Sequence, residues 1–167
     1  MSGRIIAAAA LLAAITGACA ASSQEVKKAR TAEYKCDQQR VFTAVVESMK
    51  EQFPPLAGMN EAEGVVVSDM RWHDRYGTRE KEGAAVVREG SVMVGAEALV
   101  KQGASGGWVV LARARVFGQE VGSPRGREYA PEDPLWPPWV NGKLDNLFIK
   151  IHGKLVPGCQ NLTAEPK

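Results

Sequence analysis

The chain has 167 residues, 45% of them hydrophobic and 24% charged, with 21 Lys and Arg against 19 Asp and Glu and a net charge of +2. That near balance excludes a protein that works by neutralising many nucleic-acid phosphates, and it leaves no polybasic patch able to hold a membrane surface by itself. The length suits one ordinary domain that can bury a real core without staples.

Residues 1–20 read as an address. Arg4 precedes an apolar and small run from Ile5 to Ile15, which ends in Thr16-Gly17-Ala18-Cys19-Ala20. A charged start, a short apolar middle and small residues at the end mark an export signal, whereas a membrane span needs about 20 strongly apolar residues. Two cuts fit. Ala18-Cys19-Ala20 suits an ordinary signal peptidase, which removes residues 1–20 and releases a soluble periplasmic chain from Ala21. The stretch Ile15-Thr16-Gly17-Ala18-Cys19 instead resembles the lipobox of bacterial lipoproteins, although Thr16 stands where leucine is commonest. The resemblance implies removal of residues 1–18, acylation of Cys19 with diacylglycerol and palmitate, and, with Ala20 next, anchorage in the outer membrane facing the periplasm.

Residues 19–35 then read as the lipidated N-terminus and a polar tether with no apolar period. Cys19 leaves with lipid or signal, so Cys36 and Cys159 remain as an even pair in an oxidising compartment. A disulfide between them closes a loop of about 120 residues, for which the chain-entropy model predicts about 5 kcal/mol. A catalytic free thiol is the alternative, but neither cysteine has a histidine near it in the chain.

The single domain spans 36–160. Asp37 caps a helix whose stripe is Phe42, Val45, Val46, Met49 and Phe53, and Pro54-Pro55 stops it. Residues 56–63 read as a loop. Residues 64–72 read as a strand with Val66, Met70 and Trp72 on one face and Asp69 and Arg71 on the other. The charged stretch 73–83 is a solvated loop, and 84–87 form a short strand or the start of the next. Residues 92–101 and 108–117 make a β-hairpin around the turn Gly103-Ala104-Ser105-Gly106-Gly107. Pairing Val100 with Val110, Ala98 with Ala112, Ala96 with Ala114 and Val94 with Val116 gives one wholly apolar face and sets Glu97 against Arg113 on the outer one. Residues 119–138 are proline-rich and irregular, ending in Trp136-Pro137-Pro138-Trp139. Leu144, Leu147, Phe148, Ile151 and Leu155 stripe the last helix, Pro157-Gly158 end it, and 160–167 form a frayed tail.

Helix, three or four strands, helix predicts an α+β two-layer sandwich, α-β-β-β-(β)-α, with both helices on one face of an antiparallel sheet. Antiparallel helices bring Cys36 to Cys159.

Four constellations bear on function. Gly103–Gly107 fits G-x-S-x-G, with Asp133 and His152 following in the order of a small serine hydrolase with Ser105 as nucleophile; but that motif works on a strand-to-helix elbow, and here it joins two strands. His73-Asp74 beside Trp72 suggests half of a metal or acid–base site, yet two histidines without paired spacing favour a solvated strand end and no metal. Arg113, Arg115, Arg125 and Arg127 suggest an anion or lipid-head-group site on the outer face. Trp136 and Trp139 suggest a partner surface, or else pin their loop to the core. Asn161-Leu162-Thr163 has the glycosylation pattern, which carries little meaning in a bacterial chain.

The apolar helix 41–53, the glycine-led strand 64–72 and the closing helix 144–155 give an architecture that resembles the small domains of BamC-type outer-membrane lipoproteins. That resemblance implies an accessory role in envelope assembly and transfers no binding residue. The expectation is a non-enzymatic, lipid-anchored envelope protein that binds another protein, without cofactor, metal or nucleic acid. Its candidate surface is Trp136, Trp139, Arg113 and Arg115.

Overall fold

The structure, a computed structural model, describes residues 21–80, 90–118 and 126–163. In chain order the first elements are α1 (Ser23–Thr31), β1 (Glu33–Lys35), α2 (Gln38–Gln52), β2 (Leu56–Asn60), β3 (Val65–Ser68) and β4 (Arg71–His73). They are followed by β5 (Val92–Gln102), β6 (Trp108–Gly118), β7 (Arg127–Tyr129), α3 (Pro138–Leu155) and β8 (Gln160–Asn161).

β5 and β6 are the spine. Small and β-branched residues at every second position of each 11-residue strand, with Glu97, Lys101, Arg113 and Arg115 between them, fit a sheet with one face covered by helices. The pairing is the one the alternation demands: Val94↔Val116, Ala96↔Ala114, Ala98↔Ala112 and Val100↔Val110, with Glu97↔Arg113 between them. Around this hairpin the antiparallel order is β2-β3-β5-β6-β1-β8, with β4 also on β5 and β7 also on β6. All three helices lie over one face. Val41, Phe42, Val45 and Met49 of α2 and Leu144, Leu147, Phe148 and Ile151 of α3 share one core with Val94, Ala96, Ala98, Val100 and Val116. The α+β two-layer sandwich with a one-sided antiparallel sheet is therefore present, with more strands than expected. Cys36 and Cys159 meet as a disulfide with Cα atoms 5.2 Å apart.

Several expectations need correction. The stretch read as a tether is α1 and β1. Ser22 and Glu25 form a capping box, Ala29 and Ala32 are buried, and Arg30 reaches Asp145 at 2.7 Å. An apolar stripe of one valine, Val26, and two alanines has too little hydrophobicity to show as a period, although it suits close packing of α1 on α3. Asp37 occupies the N-cap of α2 but its side chain makes no capping bond. Residues 56–60, read as loop, are the edge strand β2, and Pro138 opens α3 at its first position, where a missing N–H costs nothing. The start of the tail is β8 on β1, and the Leu162 N–H donates to the Glu33 carbonyl.

The largest correction is a β-bulge. From Val67 to Arg71 the chain takes four steps, while β5 takes three from Glu97 to Val94. Ser68 points into the core and its Oγ accepts the Ala96 N–H at 2.7 Å, in place of a backbone acceptor. Gly95 makes room, since a Cβ there would meet Met70 Sδ and the Asp69 carbonyl. The extra residue inverts the alternation. Val66 pairs with Ala98 on the core face, whereas Trp72 pairs with Met93 on the other. Trp72 therefore does not share a face with Val66.

Candidate functional site: the open face of the sheet

Helices cover one side of the sheet, and the side chains that alternate away from them meet no second layer among the described residues. Pairing arranges this face in rows: Val65–Leu99–Leu111, then Val67–Glu97–Arg113, then Gly95–Arg115, then Trp72–Met93–Phe117. The last row and Met70 wall a hollow of 440 Å³ with Arg115 at its side. A second hollow of 300 Å³ lies over Leu99, Leu111 and the Glu97–Arg113 pair. Leu111 is 46% exposed. Aromatic and methionine side chains in a shallow hollow supply adaptable apolar contact, the chemistry of protein recognition rather than of bond breaking.

The charges on this face are matched. Arg113 donates from Nε and an Nη to Glu97 at 2.9 and 2.7 Å. Arg115 donates to Glu128 at 3.0 Å and lies over the Phe117 ring, 5.3 Å from its centroid; the Glu128 contact raises its pKa. Arg127 binds Asp133. Arg113 and Arg115 are thus on the outer face as expected, but each already faces a carboxylate, which opposes a site for a second anion. Arg125 lies outside the described residues, as do Cys19 and the possible strand 84–87.

The tryptophans of the proline-rich segment do not form a surface. Trp136 is buried, and its Nε1–H donates to Asn141 Oδ1 at 3.2 Å. Trp139 is half-buried; its Nε1–H donates to the Arg75 carbonyl, and its ring packs where a Cβ on Gly77 would sit. Both indoles pin loops to the body, the second of the two roles expected of them.

Ser105, Asp133 and His152 are each committed elsewhere. The 103–107 turn wraps the buried Glu33, whose Oε1 accepts the Ser105 and Gly107 N–H groups at 2.9 and 2.8 Å. A Cβ on Gly103 or Gly107 would strike the Glu33 side chain, so the glycines of this G-x-S-x-G make way for a carboxylate and form no nucleophile elbow. Asp133 is held below the usual carboxylate range by Arg127 and the Leu135 N–H. His152 Nδ1 shares a hydrogen bond of 2.9 Å with the buried Tyr34 hydroxyl. Burial, then Lys28, pulls the His152 pKa down, and burial pushes that of Tyr34 up.

His73 is buried rather than solvated. Its Nδ1–H donates to the Arg71 carbonyl at 2.8 Å, so Nε2 presents a lone pair to Lys143 Nζ at 3.5 Å. Burial lowers the His73 pKa, with Lys143 and Arg79 adding to it. The Lys143 ammonium sits 5.7 Å from the Phe53 and Trp139 ring centroids, and its pKa is lowered by burial and by Arg79. The Asp74 carboxylate accepts the Tyr76 and Thr78 N–H groups and closes a turn. Among the described residues no cluster of three or more His, Cys, Asp or Glu is placed to hold a metal, and no helix is long and apolar enough to cross a membrane.

Of the residues that line the hollow of the open face, Met70 and Trp72 were expected to share a face with Val66, and Met93 and Phe117 were given no role. The available signal was Gly95 in mid-strand with Ser68 at a core position, the pair that marks the bulge. Comparison with protein-family models, curated proteins and solved structures returned no match.

Proposed function

We propose that this chain is a lipid-anchored, non-enzymatic protein of the bacterial cell envelope that acts by binding another protein on the open face of its sheet. The lipobox-like Ile15–Cys19 stretch supports the anchor. The observation that carries the binding role is the row Trp72–Met93–Phe117 with Met70, half-buried apolar side chains that no second layer covers among the described residues, on a sheet whose other side is packed by helices. Contiguous apolar surface of that kind is the mark of an interaction site. An accessory role in outer-membrane assembly fits the same placement.

The test is site-specific photo-crosslinking in intact envelopes, with a benzophenone side chain at Met93, at Leu111 or, on the helix layer, at Glu47. Discrete adducts from Met93 and Leu111 and none from Glu47 are expected. Adducts from Glu47 alone would move the binding surface to the helices and overturn the assignment.

A further inference from the structure

The segment expected to lift the domain off its anchor is a packed helix, and this changes where the domain can be. Ser22, the N-cap of α1, is three residues beyond Cys19. Three extended residues reach about 10 Å. From Ser22 onward the chain is fixed to the body: the Ser22–Glu25 capping box, buried Ala29 and Ala32, and Arg30 bound to Asp145 and lying 5.0 Å from the Phe148 centroid.

The direction of α1 is also set. Arg30 sits at Asp145 and Phe148, and Lys28 lies close enough to help lower the pKa of His152, further along α3; an α1 antiparallel to α3 satisfies both. Its N-terminus therefore points to the end of the domain that carries the Cys36–Cys159 bridge. The 74–78 turn, held by Trp139 at the start of α3, lies at the other end. With Ala29 inward, helical spacing puts Gln24, Lys27 and Thr31 on the outward side and Lys28 on a flank, across the helix from Arg30. Lys27 and Lys28 are exposed, and neither has a carboxylate partner among the described residues.

We propose that α1 is a membrane-contacting element: acylated Cys19 holds its first turn at headgroup level, and Lys27 and Lys28 meet anionic lipid phosphates. This rests on the lipid-anchor reading above. Two lysines too weak to bind a membrane alone add to an acyl anchor that holds them within a Debye length of the surface. The domain then cannot sample the periplasm, and its protein partner is one embedded in, or lying on, the same membrane.

The test uses the full acylated chain in phosphatidylcholine vesicles, with and without phosphatidylglycerol, that contain a nickel-chelating headgroup lipid. Nitroxide labels go on Gln24→Cys and, separately, Tyr76→Cys, with the native bridge intact. Nickel-induced relaxation is expected to be several-fold greater at position 24 than at 76. Inserting about 20 Gly and Ser residues between Ala21 and Ser22 is expected to abolish that difference, because such a chain is a flexible coil. In vesicles with phosphatidylglycerol, Lys27→Glu with Lys28→Glu is expected to reduce the enhancement at 24, as is raised salt. Equal relaxation at both labels in an acylated chain overturns this inference alone, and an unchanged signal in the double variant overturns the role of the lysines. A mass spectrum showing no acyl group on Cys19 overturns the anchor reading and this inference together.

Discussion

Val116 and Phe117 are neighbours on β6 and opposites in environment. Val116 is fully buried against the helix layer, whereas Phe117 is half-buried on the face that no second layer covers among the described residues. The same contrast runs the length of the sheet, with Val94, Ala96, Ala98 and Val100 on one side and Met93, Glu97 and Leu99 on the other. The covered side is where burial stabilises the fold, at about 25 cal/mol per Å² of apolar surface removed from water. The open side leaves Leu111 46% exposed and Trp72, Met93 and Phe117 only half-buried, an arrangement that selection for stability alone does not favour.

The sharpest way to break this comparison is one charge moved by one residue. Val116→Asp buries a carboxylate without a partner, a cost on the order of the whole stability of a domain, and should leave no cooperative unfolding transition by circular dichroism. Phe117→Asp should retain that transition and lose crosslinking from Met93. If both variants unfold, the two faces are not distinct.

Truncation grades the same contrast. Leu147→Ala, at a fully buried position on α3, is expected to cost about 2–5 kcal/mol in urea unfolding. Leu111→Ala on the open face is expected to stay within about 0.5–1 kcal/mol. Comparable losses would mean that Leu111 is packed in solution. Next in size is Ser68→Ala, which leaves the buried Ala96 N–H without an acceptor and should cost about 1–3 kcal/mol. It tests the bulge itself, and a neutral result would remove the reason Trp72 faces outward.

The smallest effect is a pH dependence on the covered side. His73 and His152 have pKa values lowered chiefly by burial, so the unfolded chain binds their protons more readily. Their contribution is complete above the unfolded value of about 6.5 and is lost as pH falls toward the lower folded values. Stability should therefore decline from pH 7.5 toward 5, and His73→Gln should flatten that decline. A slope unchanged by the substitution would assign it to other groups.

How much of this was legible depends on range. The stripes of α2 and α3 and the hairpin register follow from apolar side chains repeating at helix or strand period, and a single register kept one face apolar. The candidate site was less legible. Arg113 and Arg115 were placed on the correct face, but their partners Glu97 and Glu128 cancel the charge that made them candidates. Trp136 kept two readings in the sequence because its burial is set by α3, through Asn141. The glycines around Ser105 imitated a catalytic elbow because only the fold brings Glu33 into their turn.

By itself, then, the sequence determined the fold class, the two long helices, the spine of the sheet and the pairing of Cys36 with Cys159. Each is encoded in local periodicity or in the parity of three cysteines. Tertiary structure alone decided the two features on which the proposed function and membrane contact rest. One is α1, whose stripe of one valine and two alanines is too weakly apolar to register until α3 offers a surface for it. The other is the outward turn of Trp72, because a bulge exists only as a difference in count between two strands, and one strand read alone cannot carry it.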